Sequence, residues 1–161
     1  QKGDKVLDLA CGTGVLTGYL LEATPHVTGL DLAENMVALA RKKYADTSAC
    51  FLCGDFYSFQ GKCFDAIILH NAYPHFEDKE KLVLCLARAL ERGGRLVVAH
   101  SLGKDHLNRV HQGRVGNLCR ALRAVEVEAD LFKDAFSIDY MADEEDFYAF
   151  SGTKIGKFIR R

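Results

Sequence analysis

Short apolar runs alternate along the chain with stretches whose apolar residues recur at helical spacing. Lys5 to Ala10 (KVLDLA) reads as a buried strand that runs into the turn Cys11-Gly12-Thr13-Gly14. The pattern then predicts a helix over Val15–Ala23 broken by Pro25, and a strand over His26–Asp31. A second helix is expected over Ala33–Tyr44, where Met36, Val37, Leu39 and Ala40 share a helical repeat. Ala49–Cys53 is a third strand, followed by Gly54-Asp55 and an irregular segment through Lys62. Phe64–Leu69 (FDAIIL) is a fourth strand leading into the loop HNAYPHF. A helix over Glu77–Leu90 carries apolar Leu82, Leu86, Ala89 and Leu90, with Gly93-Gly94 as its C-cap. Arg95–His100 (RLVVAH) is a fifth strand. Ser101–Asn117 reads as loop plus a short helix, and Leu118–Ala135 as broadly helical. Phe136–Met141 and Phe147–Gly152 close the pattern as two strands around the turn Ala142–Glu145.

Strand–helix alternation at this pace implies an α/β fold, a doubly wound and mostly parallel sheet between two helical layers. The final hairpin adds one antiparallel strand near the C-terminus. Repeats, low-complexity tracts and linker-like segments are absent from the sequence, so residues 1–161 read as a single domain.

Composition narrows the classes. Apolar residues make up 48% of the chain and charged residues 27%, an ordinary globular balance. A net charge of -1 supplies no field to gather nucleic acid or an anionic membrane, so neither is an expected partner. No apolar run reaches bilayer length, and QKGDKVLDLACG does not read as a signal peptide. The six cysteines are irregularly spaced. The Cys50-Phe51-Leu52-Cys53 pair falls in a strand, where residues three apart face opposite ways. A zinc site needs converging thiolates, so free thiols in a reducing cytoplasm are expected, with no metal.

Ligands of open α/β sheets bind at the carboxyl ends of the strands, where strand order reverses. There the glycine loop allows a tight turn and close approach of a ligand to backbone. Asp31 ends the second strand, suited to accept both hydroxyls of a ribose, and Gly54-Asp55-Phe56 ends the third with a carboxylate and an aromatic ring.

At these residues the sequence resembles class I S-adenosylmethionine-dependent methyltransferases, particularly the menaquinone-biosynthesis-type branch. The resemblance is carried by VLDLACGTG (6–14), GLDLAENMVALARKK (29–43), CGDF (53–56), FDAIILHNAYPHF (64–76) and LERGGRLVVAHS (90–101). It implies a Rossmann-like sheet and S-adenosyl-L-methionine as cofactor. Carried over by position, it implies that Asp8, Ala10, Gly12 and Gly14 surround the methionine portion of the cofactor. Asp31 would hold the ribose, Leu32 and Met36 pack on the adenine, and Asp55 and Phe56 meet the adenine edge and face. His70 would lie near the sulfonium. Ala10 departs from the glycine common in the family. The family also carries helices ahead of the glycine loop, so the expectation is a lid from missing N-terminal residues or from another chain.

Two other readings compete. A nicotinamide-dependent oxidoreductase would need a glycine where Thr17 stands, and no tyrosine is followed four residues later by lysine. A non-catalytic S-adenosylmethionine-binding module would keep the cofactor loop without the chemistry.

Five of the six histidines, His70, His75, His100, His106 and His111, fall between the end of the fourth strand and the segment after the fifth. Together with HNAYPHF they are expected to form one acceptor pocket, with His70 or His111 as proton acceptor and Tyr73 and His75 in its wall. The Asn/Asp-Pro-Pro-Tyr/Phe signature of nucleobase and amide methylation is missing, which favours a small-molecule acceptor.

Overall fold

The computed structural model of the protein describes residues 3–114 and 121–156, with the side chains of 111–114 outside the description. Strands β1 (Val6–Leu9), β2 (Val27–Asp31), β3 (Cys50–Cys53), β4 (Phe64–His70) and β5 (Leu90–His100) are joined by α1 (Thr17–Ala23), α2 (Glu34–Lys43) and α3 (Lys79–Ala89). Then follow α4 (Lys104–Arg114), α5 (Val125–Asp130) and the hairpin β6 (Phe136–Asp143) and β7 (Tyr148–Lys154). The seven strands lie in the order β3-β2-β1-β4-β5-β7-β6. All pairings from β3 through β5 are parallel, and β7 runs antiparallel to both β5 and β6. The expected doubly wound sheet with one opposed strand is therefore present.

Burial follows position in the sheet. Every residue of the interior strand β1 is buried, as a strand covered on both faces requires, whereas edge strand β3 buries Phe51 alone. Leu7, Ile67, Leu69, Leu96 and Val98 form the middle of the core. Gly29 in β2 is there for contact: a Cβ at that position would come within 2.5 Å of the Phe51 ring and 2.9 Å of the Cys11 sulfur. Asp78 starts α3 by accepting the Lys81 amide at 2.8 Å, an N-cap that satisfies one donor of the first turn.

Two expectations change. Gly93-Gly94 does not cap α3, because the helix ends into Leu90, which is already extended and paired with Phe64 of β4. The glycines instead serve an irregularity in β5, where pairing jumps from Phe64–Leu90 to Ala66–Arg95. Gly93 takes φ +76°, and a Cβ on Gly94 would press on the Glu91 and Asp65 carbonyls at 3.0 and 3.2 Å. Leu118–Ala135 is not broadly helical either. Its described part forms α5 over Val125–Asp130 alone, with 121–124 irregular before it and turns after it.

Candidate functional site

Strand order reverses between β1 and β4: the chain moves from β1 out to β3 on one side and from β4 out to β5 on the other. At the carboxyl ends of these strands opens a cleft of about 510 Å³. Its floor is Leu9, Ala10 and Gly12 from the end of β1, with Leu30 and Asp31 from β2.

The glycine loop is held from below. Ala10, Gly12 and Gly14 alternate in the left-handed region, at φ 57°, 53° and 74°, which turns the chain sharply away from the sheet. The Cys11 amide donates to the Leu30 carbonyl at 3.2 Å and the Gly14 amide to the Cys11 carbonyl at 2.8 Å. A Cβ on Gly12 would meet no protein atom within 4 Å, so at this cleft-lining residue backbone is offered to open space. Gly14 faces the protein instead, where its missing Cβ would lie 2.7 Å from the Tyr44 ring.

The acidic residues separate into different roles. Asp8 is buried beneath the loop and accepts the Thr17 hydroxyl at 2.7 Å; burial raises its pKa despite that bond. It is not among the cleft-lining residues. Asp31 does line the cleft and accepts two backbone amides, Gly12 at 2.7 Å and Ala33 at 2.9 Å. Cys11, between these carboxylates, has its thiol pushed up to about 12 by burial and by Asp8 and Asp31, which leaves it inert as a nucleophile. Asp55 also lines the cleft and caps its own turn by accepting the Tyr57 amide at 2.9 Å.

The apolar wall is built by Leu32, Met36, Phe56, Tyr57 and Phe76. Phe56 is buried, whereas Leu32 and Met36 stand at the mouth with 74% and 39% of their surface exposed. Phe76 packs edge-on against both Phe56 and Tyr57, at 6.4 and 6.0 Å between ring centres. A planar, largely apolar ligand part with a polar edge fits this end of the cleft.

The loop after β4 closes the remaining side with Asn71, Ala72, His75 and Phe76. Asn71 lies within the HNAYPHF segment expected at the pocket, and asparagine at a strand end is the residue type that tolerates its φ of 56°. It ties β4 to β5: its Oδ1 accepts the Ser101 amide at 2.9 Å and its Nδ2 donates to the Ser101 hydroxyl at 3.0 Å. Tyr73 turns away from the cleft into the core, where its hydroxyl donates to Glu128 at 2.7 Å and the Lys79 ammonium donates to its carbonyl.

The histidines do not gather as expected. His70 is the last residue of β4, half-buried and absent from the cleft lining; burial alone holds its pKa below the ordinary value. It pairs with Ala99, so His100, one residue on, points to the other face of the sheet. There His100 is buried, edge-on to Tyr148 at 6.0 Å. His106 lines a separate cavity with Asp143 at the end of β6 and Glu144 in the turn after it. His111 falls in α4, with its side chain outside the description. Among the described residues no group of three or more metal-ligating side chains converges. No described helix is long and apolar enough to cross a membrane.

Comparison with known proteins agrees with this geometry. The family described as "Methyltransferase domain" matches residues 7–98, and the chain belongs to it. Over 103 residues it is 37% identical to a demethylmenaquinone methyltransferase of Thermotoga maritima, which covers 62% of this chain and 44% of that protein. The chain thus spans less than half the length of this curated relative. Two solved structures share the fold. The methyltransferase of Haloferax volcanii in complex with its Trm112 activator aligns with a TM-score of 0.84 at 18% identity, covering 97% of this chain and 84% of that one. An S-adenosylmethionine-dependent methyltransferase from Mesorhizobium loti aligns with a TM-score of 0.76 at 20% identity, covering 95% and 92%.

Proposed function

We propose that residues 1–161 form one domain that binds S-adenosylmethionine in the cleft at the β1–β4 crevice and transfers its methyl group to a small-molecule acceptor. One observation carries the reading: an open-backed glycine loop, the Asp31 carboxylate and an apolar, aromatic-walled slot line a single cleft. The loop fits the amino-acid part of the ligand, where approach to backbone needs an absent Cβ at Gly12. Asp31 fits the ribose, and the slot between Leu32, Met36 and Phe56, with Asp55 at its edge, fits the adenine. Ala10 meets the ligand at the cleft floor, and Asp8 and Gly14 act on it through the shape of the loop.

The cofactor supplies an activated methyl group on a sulfonium. When bound, it would give that methyl to an acceptor lone pair as the carbon–sulfur bond breaks, leaving S-adenosylhomocysteine. What the chain's own residues contribute is alignment and exclusion of water. His70, at the end of β4 beside the cleft-lining Asn71, is proposed to take a proton from the acceptor. His111 is proposed for the same task from α4.

Calorimetry with S-adenosylhomocysteine and with NAD tests the cofactor reading: the first binds and the second does not. Tighter binding of NAD would overturn it. Transfer of label from a methyl-labelled donor into a metabolite extract, with no label appearing in added RNA or protein, tests the acceptor class.

A further inference from the structure

The residue that explains two glycines at once lies outside the cleft. Tyr44 stands at the end of α2, with its ring stacked on Phe51 at 5.6 Å between centres. Its hydroxyl donates to the Gly14 carbonyl at 2.6 Å, and the Lys43 ammonium, 4.9 Å above the Tyr44 ring, reaches the same oxygen at 3.5 Å. A Cβ on Gly14 would lie 2.7 Å from the ring, and one on Gly18 would lie 3.2 Å from the hydroxyl oxygen. Gly14, in the loop, and Gly18, at the start of α1, thus form a notch that admits the tyrosine. Gly18 sits inside α1, where glycine is a poor helix former, so its presence calls for a contact of this kind.

We propose that Tyr44 is a positioning residue of the cofactor site. The glycine loop is pinned on its sheet side by Asp31, through Gly12, and by Leu30, through Cys11. On its helix side the Tyr44 hydroxyl fixes the peptide that leaves Gly14. With both sides held, the left-handed turns at Ala10, Gly12 and Gly14 keep one arrangement before any ligand arrives, and binding need not order them. The inference rests on the cofactor reading above.

The test pairs two variants with opposite effects on helix propensity. Tyr44→Phe keeps the ring on Phe51 and removes the O–H alone. Gly18→Ala improves the helix but crowds the hydroxyl away from Gly14. Each variant should weaken S-adenosylhomocysteine binding about five- to tenfold, the worth of one well-formed hydrogen bond. Each should speed amide exchange at Gly12–Val15 while β4 and β5 stay as protected as in the wild type. In the double variant the losses should not add, because both act through one contact. Unchanged affinity and unchanged loop exchange in Tyr44→Phe would overturn the proposal, as would a Gly18→Ala protein that binds like wild type. If the wild type itself fails to bind S-adenosylhomocysteine, the cofactor reading falls, and loop exchange still decides what Tyr44 does.

Discussion

Asp31 and Gly12 are joined across the base of the cleft, the Gly12 amide donating to Asp31 Oδ2 at 2.7 Å. The other oxygen, Oδ1, accepts the Ala33 amide at 2.9 Å and so shapes the entry to α2. One carboxylate thereby sets the height of the glycine loop and the path of the next helix. The residue proposed to hold the ribose thus also shapes the floor of the cleft.

Removing that carboxylate has two consequences. Asp31→Ala is expected to weaken S-adenosylhomocysteine binding by about 2–3 kcal/mol, as charge-assisted bonds disappear. It should also release the Gly12 amide in the ligand-free protein. Asp31→Asn keeps one acceptor for Gly12 and should fall between. Calorimetry gives the first effect and amide exchange at Gly12 the second. A folded Asp31→Ala protein with wild-type affinity would move the site elsewhere.

Ala10 is an L-residue at φ 57°, in a conformation that costs roughly 1–2 kcal/mol when a Cβ is present. Glycine removes that strain but gives back part of the gain through a freer unfolded chain. Ala10→Gly should therefore stabilise the domain by about 0.5–1 kcal/mol in denaturant titration. A destabilised variant would show that the alanine methyl group makes contacts worth more than the strain.

How much of this is legible in the sequence differs from residue to residue. β1, β2 and β4 announce themselves because buried parallel strands are continuous apolar runs, and Gly12 and Asp31 fall at their ends by counting alone. The role of Gly93-Gly94 is hidden, since a glycine pair serves a helix end and a strand irregularity equally well until pairing with β4 is known. His70 and His100 look like neighbours in a list of strand ends. Their separation depends on a one-residue register between β4 and β5, and register is a property of the assembled sheet. The Tyr44 notch is hidden for the same reason, because nothing within α2 points 30 residues back to Gly14.

The loop after β4 is anchored by a buried charge. Tyr73 and Arg123 both donate to the Glu128 carboxylate, at 2.7 and 2.8 Å, and the Glu128 side chain is 1% exposed. Burial pushes its carboxyl up, but the Arg123 and Tyr73 bonds outweigh this and hold its pKa below the usual range. Tyr73→Phe leaves the carboxylate one partner short and should cost about 1–3 kcal/mol. Arg123→Ala leaves a buried charge without its counter-ion and should cost more, about 3–5 kcal/mol. Chemical denaturation ranks the two. The reverse order would mean that solvent reaches Glu128 once Arg123 is gone.

His70 gives the last prediction, and its sign follows from burial. The fold disfavours the imidazolium, so the folded-state pKa lies below the unfolded value of about 6.5. Between those two values the unfolded chain binds more protons than the native one. Stability therefore rises with pH through that window, and its His70 contribution is lost as pH falls through the folded-state value. Comparing wild type with His70→Gln by denaturant midpoint from about pH 5 to about pH 7 isolates the effect: the variant should show the shallower slope. If His70 also takes the acceptor's proton, methyl transfer should fall as pH drops through its lowered folded-state pKa, while S-adenosylhomocysteine affinity stays nearly constant. A variant with the wild-type slope would mean that His70 is solvated in the native protein. An altered slope with an unchanged rate profile would confine His70 to a structural role and pass the proton to His111.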